Sequence, residues 1–194
     1  MKTTKFILLF ILLSSIFFSC KKSENDPFIS LKSRKARITG EWKLTEGYTE
    51  VTSATGTDTY TITGGNITSV ENGISITQPY SEVYNFKKDG TYNYTCNTDN
   101  GNDVDFEEGS WTFGTKSADM DLKAKETVLL YIKHYSSDNS GNNYSYTYDG
   151  TIYPVHRITL DMLKNKKMTI IIDYTYQDTN TSYTRKGTMT YEKQ

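Results

Sequence analysis

From Ile38 to the C-terminus, hydrophobic positions recur at every second residue, the period of a strand with one buried face. Trp42, Leu44 and Glu46 alternate with Lys43 and Thr45. Tyr84 and Phe86 run into Lys87-Lys88-Asp89-Gly90, whose Asp-Gly pair suits the positive φ of a hairpin turn. On the return strand Tyr92, Tyr94 and Cys96 share a face. Further stripes follow at Gly109, Trp111 and Phe113, at Val128, Leu130, Ile132 and His134, and at His156, Ile158, Leu160 and Met162. The clearest sets Met168, Ile170, Ile172, Tyr174 and Tyr176 against Thr169, Asp173, Thr175 and Gln177. Tyr183, Arg185, Gly187, Met189 and Tyr191 form the last stripe. With strands at 60–63 and 74–77, the pattern predicts about eight to ten antiparallel strands. An open sheet of that size curls or splits, so an all-β, up-and-down β-barrel is expected, with a two-layer β-sandwich as the alternative. Two long polar loops are expected, at 97–105 and 136–143.

Composition sharpens this reading. All 16 tyrosines lie between Tyr48 and Tyr191, and tyrosine and threonine suit a pleated, half-buried surface. No long stretch repeats at the helical period.

The N-terminus is written differently. Lys2 and Lys5 precede an unbroken apolar run at 6–13, and the greasy stretch ends at Ser19-Cys20-Lys21-Lys22. This is the grammar of an export signal, too short and interrupted for a membrane-spanning helix. It resembles a bacterial lipoprotein signal, which is cut just before a lipid-bearing cysteine. The resemblance implies a signal peptide at 1–19, a lipidated N-terminus at Cys20 with a tether at 20–37, and the barrel domain at 38–194. Several acyl chains, at about 0.8 kcal/mol per buried methylene, make such attachment effectively permanent. Lys21 after the cysteine resembles outer-membrane sorting. Ser23-Glu24-Asn25-Asp26 resembles the acidic surface-export signals of Bacteroidetes-type lipoproteins, so either the periplasmic or the cell-surface face is open.

Without the signal, 194 residues less 19 leaves 175, the size of one domain. Loss of Lys2 and Lys5 leaves 20 basic against 23 acidic side chains, a net charge of −3 that gives no footprint for nucleic acid. With Cys20 lipidated, Cys96 has no partner for a disulfide, and a small buried strand residue is its simplest role.

A second resemblance bears on the fold. Gly40-Glu41-Trp42 opens the first strand, and the order continues with Phe86-x-x-Asp89-Gly90-Thr91-Tyr92, Gly109-Ser110-Trp111, and Ile158 to Leu163 before Met168. These resemble the lipocalin-like domains of bacterial lipoproteins over residues 38 to 193. The resemblance implies that Gly40 lets the chain bend into the first strand and that Trp42 plugs the closed end of a barrel. It also implies that an arginine from a late strand packs across that tryptophan, and Arg185 is the candidate.

Candidate chemistry is sparse. His134 and His156 are the two histidines and lack zinc spacing, and no nucleophile elbow, phosphate loop or paired-carboxylate motif occurs. No enzyme activity, metal or cofactor is expected. Asp99, Asp103, Asp105, Glu107 and Glu108 miss the EF-hand pattern and read as a solvated hairpin loop. Tyr144, Tyr146 and Tyr148 suit either stacking on sugar rings or an ordinary exposed strand face. The alternation puts Arg185, His134 and His156 among apolar residues and tyrosines, Tyr174 and Tyr183 included, with Glu46 and Glu82 on the same faces. An acidic apolar molecule such as a fatty acid suits such an interior. The expectation is a monomeric, non-enzymatic lipoprotein that binds a small apolar or amphipathic ligand. The alternative is an interaction module with a filled barrel, contacting protein or glycan.

Overall fold

The computed structural model describes residues 32–115, 127–139, 141–148, 154–178 and 181–194. The signal, Cys20 and the tether up to residue 31 lie outside them. Among the described residues a short helix, α1 (Arg34–Ile38), is followed by eleven strands. They are β1 (Gly40–Ser53), β2 (Gly56–Thr63), β3 (Asn66–Glu71), β4 (Ile74–Phe86), β5 (Thr91–Thr98) and β6 (Asp103–Phe113). Then come β7 (Thr127–Asn139), β8 (Asn142–Thr147), β9 (Val155–Leu163), β10 (Lys167–Gln177) and β11 (Ser182–Lys193). All pairings are antiparallel and close into one barrel, so the sheet does not divide into a sandwich.

The ring has two sizes. At one end Gly40–Lys43 of β1 pairs directly with 83–86 of β4, so the circuit runs through eight strands: β1, β4, β5, β6, β7, β9, β10 and β11. Further along, the β2–β3 hairpin is inserted between β1 and β4, and the circuit passes through ten. β8 flanks the upper part of β7 as β9 flanks the lower part, both antiparallel to it. Ile132 N donates to Pro154 O (3.0 Å) and Tyr148 N to Lys133 O (2.8 Å), carrying the ladder across the break between them. β9 and β10 pair only from Thr159/Ile171 downward. Above that level, among the described residues, β8 ladders only with β7, and the upper half of β10 only with β11. The wide end is therefore an interrupted ring.

Three bulges set which side chains face inward, and the one on β9, opposite Thr169 and Ile170, turns Leu163 inward where the alternating stripe predicted Met162. A register shift between Leu44 and Glu46 puts Gly47 and Thr49 inside and Glu46 outside. Another, opposite Glu108 and Gly109, turns Tyr135 and Ser137 inward and His134 outward. A bulge inserts one unpaired residue and so reverses the alternation beyond it, which is why Glu46, His134 and Met162 lie on the face opposite to that expected. The two expected long loops are mostly strand. β5 and β6 are joined through a 3₁₀ turn at Asp99–Gly101, and β7 continues to Asn139. The stretches at 74–77 and 84–86 belong to one strand that crosses Pro79. Pro79 sits at the end of the β3 ladder, where Tyr80 N resumes bonding to Gly65 O at 2.9 Å.

The narrow half is packed solid. Trp42, Phe86, Tyr92, Val128, Leu130, Leu163, Met168 and Tyr191 are almost wholly buried. Burying an aliphatic or phenylalanine side chain of this kind contributes about 1.5–3 kcal/mol. Phe86 meets Trp111 edge-on with centroids 5.5 Å apart, and Trp111 Nε1 donates to Lys87 O (3.1 Å). Helix α1 covers this end. Ser33 caps it, accepting from Ala36 N at 3.1 Å, and Arg34, Arg37 and Ile38 are buried. This part of the expected tether thus belongs to the folded unit. Trp42 Nε1 donates to Ile38 O (2.5 Å), tying helix to barrel.

Candidate functional site

Where the packed half meets the wide half, hydroxyls from core tyrosines meet two buried carboxyls. Glu82, on β4, is 5% exposed. Its Oε1 accepts from Tyr191 and its Oε2 from Tyr80, the latter at 2.8 Å. Burial pushes the Glu82 carboxyl above the usual range, opposed by those two hydrogen bonds and the charge of Arg185. Glu107, on β6, is also buried; Tyr92 Oη lies 3.5 Å from its Oε2, and His156 Nδ1 lies 3.6 Å from its Oε1. Burial raises this carboxyl too, with His156 pulling the other way. Cys96 stands between them, paired with Glu82 and Asp105 across the sheet. Burial pushes its thiol up, away from the thiolate that a nucleophile requires.

Above these carboxyls the walls are aromatic. On one side Arg185 of β11 lies opposite Val51 and Tyr174. Its guanidinium sits 5.9 Å from the ring centroid of Tyr60, and its Nη2 donates to Thr49 Oγ1 at 3.4 Å. Such stacking on a ring face is how an inward arginine offsets its desolvation. Tyr183 packs edge-on to Tyr174 (6.2 Å) and is stacked with Tyr176 (5.3 Å). On the β6–β8 wall, Tyr135 donates to Asp105 Oδ1 (2.9 Å), and the rings of Tyr135, Tyr144 and Tyr146 follow one another at 6.0 Å spacings.

Register places all of these side chains on the inner face, yet Tyr174 is 45% exposed, Tyr176 44%, Tyr146 56% and Ile76 57%. The interior of the wide half is open to solvent, whereas that of the narrow half is not. What the open half offers chemically is ring faces and tyrosine hydroxyls around a few charged groups, the ingredients of an oriented binding surface.

The structure therefore brings Arg185, Tyr174 and Tyr183 together on one wall and puts His156 beside Glu107. His134 is outside, with its Nδ1 3.1 Å from Thr147 Oγ1 and its ring 6.3 Å from Phe106. Arg185 does not cross Trp42. It pairs with Val51, eight residues up β11 from the position opposite Trp42, roughly 26 Å at about 3.3 Å per residue. Lys193 holds that place, with Nζ 5.2 Å from the Trp42 ring centroid and donating to Arg37 O (2.9 Å) and Thr39 O. Gly40 makes room for it: its φ is +128°, and a Cβ there would lie 2.5 Å from Lys193 Cε. The stripe from Tyr183 to Tyr191, carried one step further, reaches Lys193 and was the available signal.

Sequence reasoning missed most of the carboxyls. Asp103, Asp105 and Glu107 alternate on the inner face instead of sitting in a loop, and Asp58 and Glu71 face inward beside Tyr60. Among the described residues no group of three or more acidic, histidine or cysteine side chains is placed to hold a metal ion. No protein-family model matches the chain, and comparison with curated proteins finds no match.

Proposed function

We propose that this is a lipid-anchored, non-enzymatic outer-membrane lipoprotein with a lipocalin-like domain, a monomer that binds a small amphipathic ligand in the wide half of its barrel. The observation that supports this best is the set of inward-facing aromatic side chains that remain exposed above a sealed floor. In a barrel serving only as a rigid spacer, those positions gain stability by packing, as they do in the narrow half. Small-ligand sites are concave surfaces of this kind, largely apolar with a few placed polar groups. Anchoring through Cys20 is supported by the charge, length and boundary of the signal. α1 covers the narrow end, which supports a tether that joins the barrel there.

Native mass spectrometry of the protein purified from its own membranes tests the reading. A retained small molecule, released on denaturation, is the expected result and gives its chemical class. A clean apo mass, with no uptake from a lipid extract, overturns it in favour of an interaction module that contacts protein or glycan.

A further inference from the structure

We infer that the ligand is a cation: an ammonium-bearing molecule with an apolar body, its charge seated against the β6–β8 wall between Asp105 and the faces of Tyr135, Tyr144 and Tyr146. This rests on the binding reading above and specifies its chemistry.

The inner face of the wide half carries more acidic than basic side chains. Register places six carboxyl side chains there, those of Asp58, Glu71, Glu82, Asp103, Asp105 and Glu107. Against them, the described strand residues of the wide half direct one arginine inward, Arg185, and one histidine, His156. The sequence suggested a cationic interior, but the bulge that turns His134 out removes one of its three members. Burial holds Glu82 and Glu107 toward the neutral form, which leaves Asp58, Glu71, Asp103 and Asp105 against Arg185. A carboxylate ligand entering this mouth therefore meets net repulsion and an ammonium meets attraction.

The aromatic walls give the same sign from a separate property. A tyrosine ring carries a negative face, and a cation within about 6 Å of the centroid gains about 0.5–1 kcal/mol at an exposed site and about 2 or more when desolvated. The molecule already uses this contact internally, with Arg185 over Tyr60 at 5.9 Å. On the β6–β8 wall no such cation–ring contact occurs among the described residues: Tyr144 and Tyr146 are exposed, and the partners across the ladder are Ser137 and Tyr135. Arg185 stands on the opposite wall, where it offsets the neighbouring Asp58 and Glu71, so the β6–β8 wall keeps its carboxyls without an arginine beside them. An ammonium therefore takes the β6–β8 side, and its apolar body extends over the floor toward Met189 and Ile172.

The test uses three ring compounds of similar size and different charge: phenyltrimethylammonium, benzenesulfonate and benzyl alcohol. Each is titrated calorimetrically into the full-length protein in lipid nanodiscs, with empty nanodiscs as the blank. Phenyltrimethylammonium is expected to bind at least tenfold more tightly than either of the others. Asp105→Asn should weaken the cation about tenfold and leave benzyl alcohol unchanged, which also reports that the variant is folded. Arg185→Gln should tighten the cation about threefold, and Glu192→Gln, on the outer face, should change nothing. Tighter binding of benzenesulfonate, lost in Arg185→Gln, overturns the cation inference and leaves the binding reading standing. Benzyl alcohol binding as well as the cation does the same. If none of the three binds, both fall.

Discussion

The two halves of this barrel are made by the same strands and differ in almost everything else. On β10, Met168 is fully buried and Tyr176 is 44% exposed, although both point inward. On β4, Phe86 is buried while Ile76, ten residues earlier on the same face, is open to solvent. The difference follows from strand number. A ring of eight strands has an interior just wide enough for side chains to fill, and the diameter grows with each strand added. Inserting β2 and β3 between β1 and β4 widens one end and leaves the other at eight. Below, side chains meet across the axis and exclude water. Above, they line a wall. One alternating pattern thus produces a plug and a vestibule, and only the size of the ring decides which.

The largest expected effect separates the halves by stability. Trp42→Ala removes a fully buried ring and its hydrogen bond to Ile38, and should cost about 3–5 kcal/mol by the usual penalty for emptying a core site. Tyr174→Ala takes an inward ring of similar bulk from the open half and should cost less than about 1 kcal/mol, the range of substitutions away from packed sites. Urea denaturation of the two variants measures both. Equal losses would mean that the wide half is packed as tightly as the narrow one, and the contrast would collapse.

How much of this was readable in the chain follows the same division. The narrow-end stripes, Trp42 and Leu44, Tyr92 to Cys96, Met168 and Ile170, are read correctly because burial there leaves only apolar side chains on one face. β3, Asn66–Glu71, escaped notice because its Asn, Thr, Ser and Glu give neither face a continuous apolar stripe. The site was hidden by two residues. The bulges near Thr45 and Lys133 leave no mark in the pattern, yet each reverses the faces beyond it and moves Glu46 and His134 outside. The acidic side chains facing into the mouth look in sequence like those of a loop, because an open interior can hold polar groups that a packed one excludes.

Glu82 lies on the boundary and makes the contrast depend on pH. Burial raises its folded pKa above the ordinary 4.5. Between that value and the raised one, the unfolded chain has released a proton that the folded chain keeps, so the folded state binds more protons and stability falls as pH rises. Full stability from this group is present below 4.5 and is lost as pH climbs through the raised value. Glu107 adds a slope of the same sign. Each group contributes at most about 1.4 kcal/mol per pH unit. In Glu82→Gln the denaturation midpoint should vary less with pH above 4.5 than in the parent, and Glu82→Gln with Glu107→Gln should be flatter still. A parent whose stability rises across that interval would show that the two carboxyls are ionised in the fold and would move the water boundary down past them.

The smallest effect concerns the two inward cations of β11, Arg185 and Lys193, one for each half. Lys193 lies over Trp42 and closes the narrow end through two carbonyls, Arg37 O and Thr39 O. Its ammonium is partly desolvated, which offsets part of the gain from those contacts. Lys193→Met keeps the stem and removes the charge, and should cost about 1 kcal/mol, near the value of one cation–ring contact. Arg185→Met acts where the interior is open and should change stability by less than about 0.5 kcal/mol. Tryptophan emission in a Trp111→Phe background reports Trp42 alone, since the chain has two tryptophans. It should shift with Lys193→Met and stay fixed with Arg185→Met. A shift on changing Arg185 instead would place that guanidinium within reach of Trp42 and restore the pairing implied by the lipocalin resemblance. The register forbids this, because the residue opposite Trp42 on β11 is Lys193.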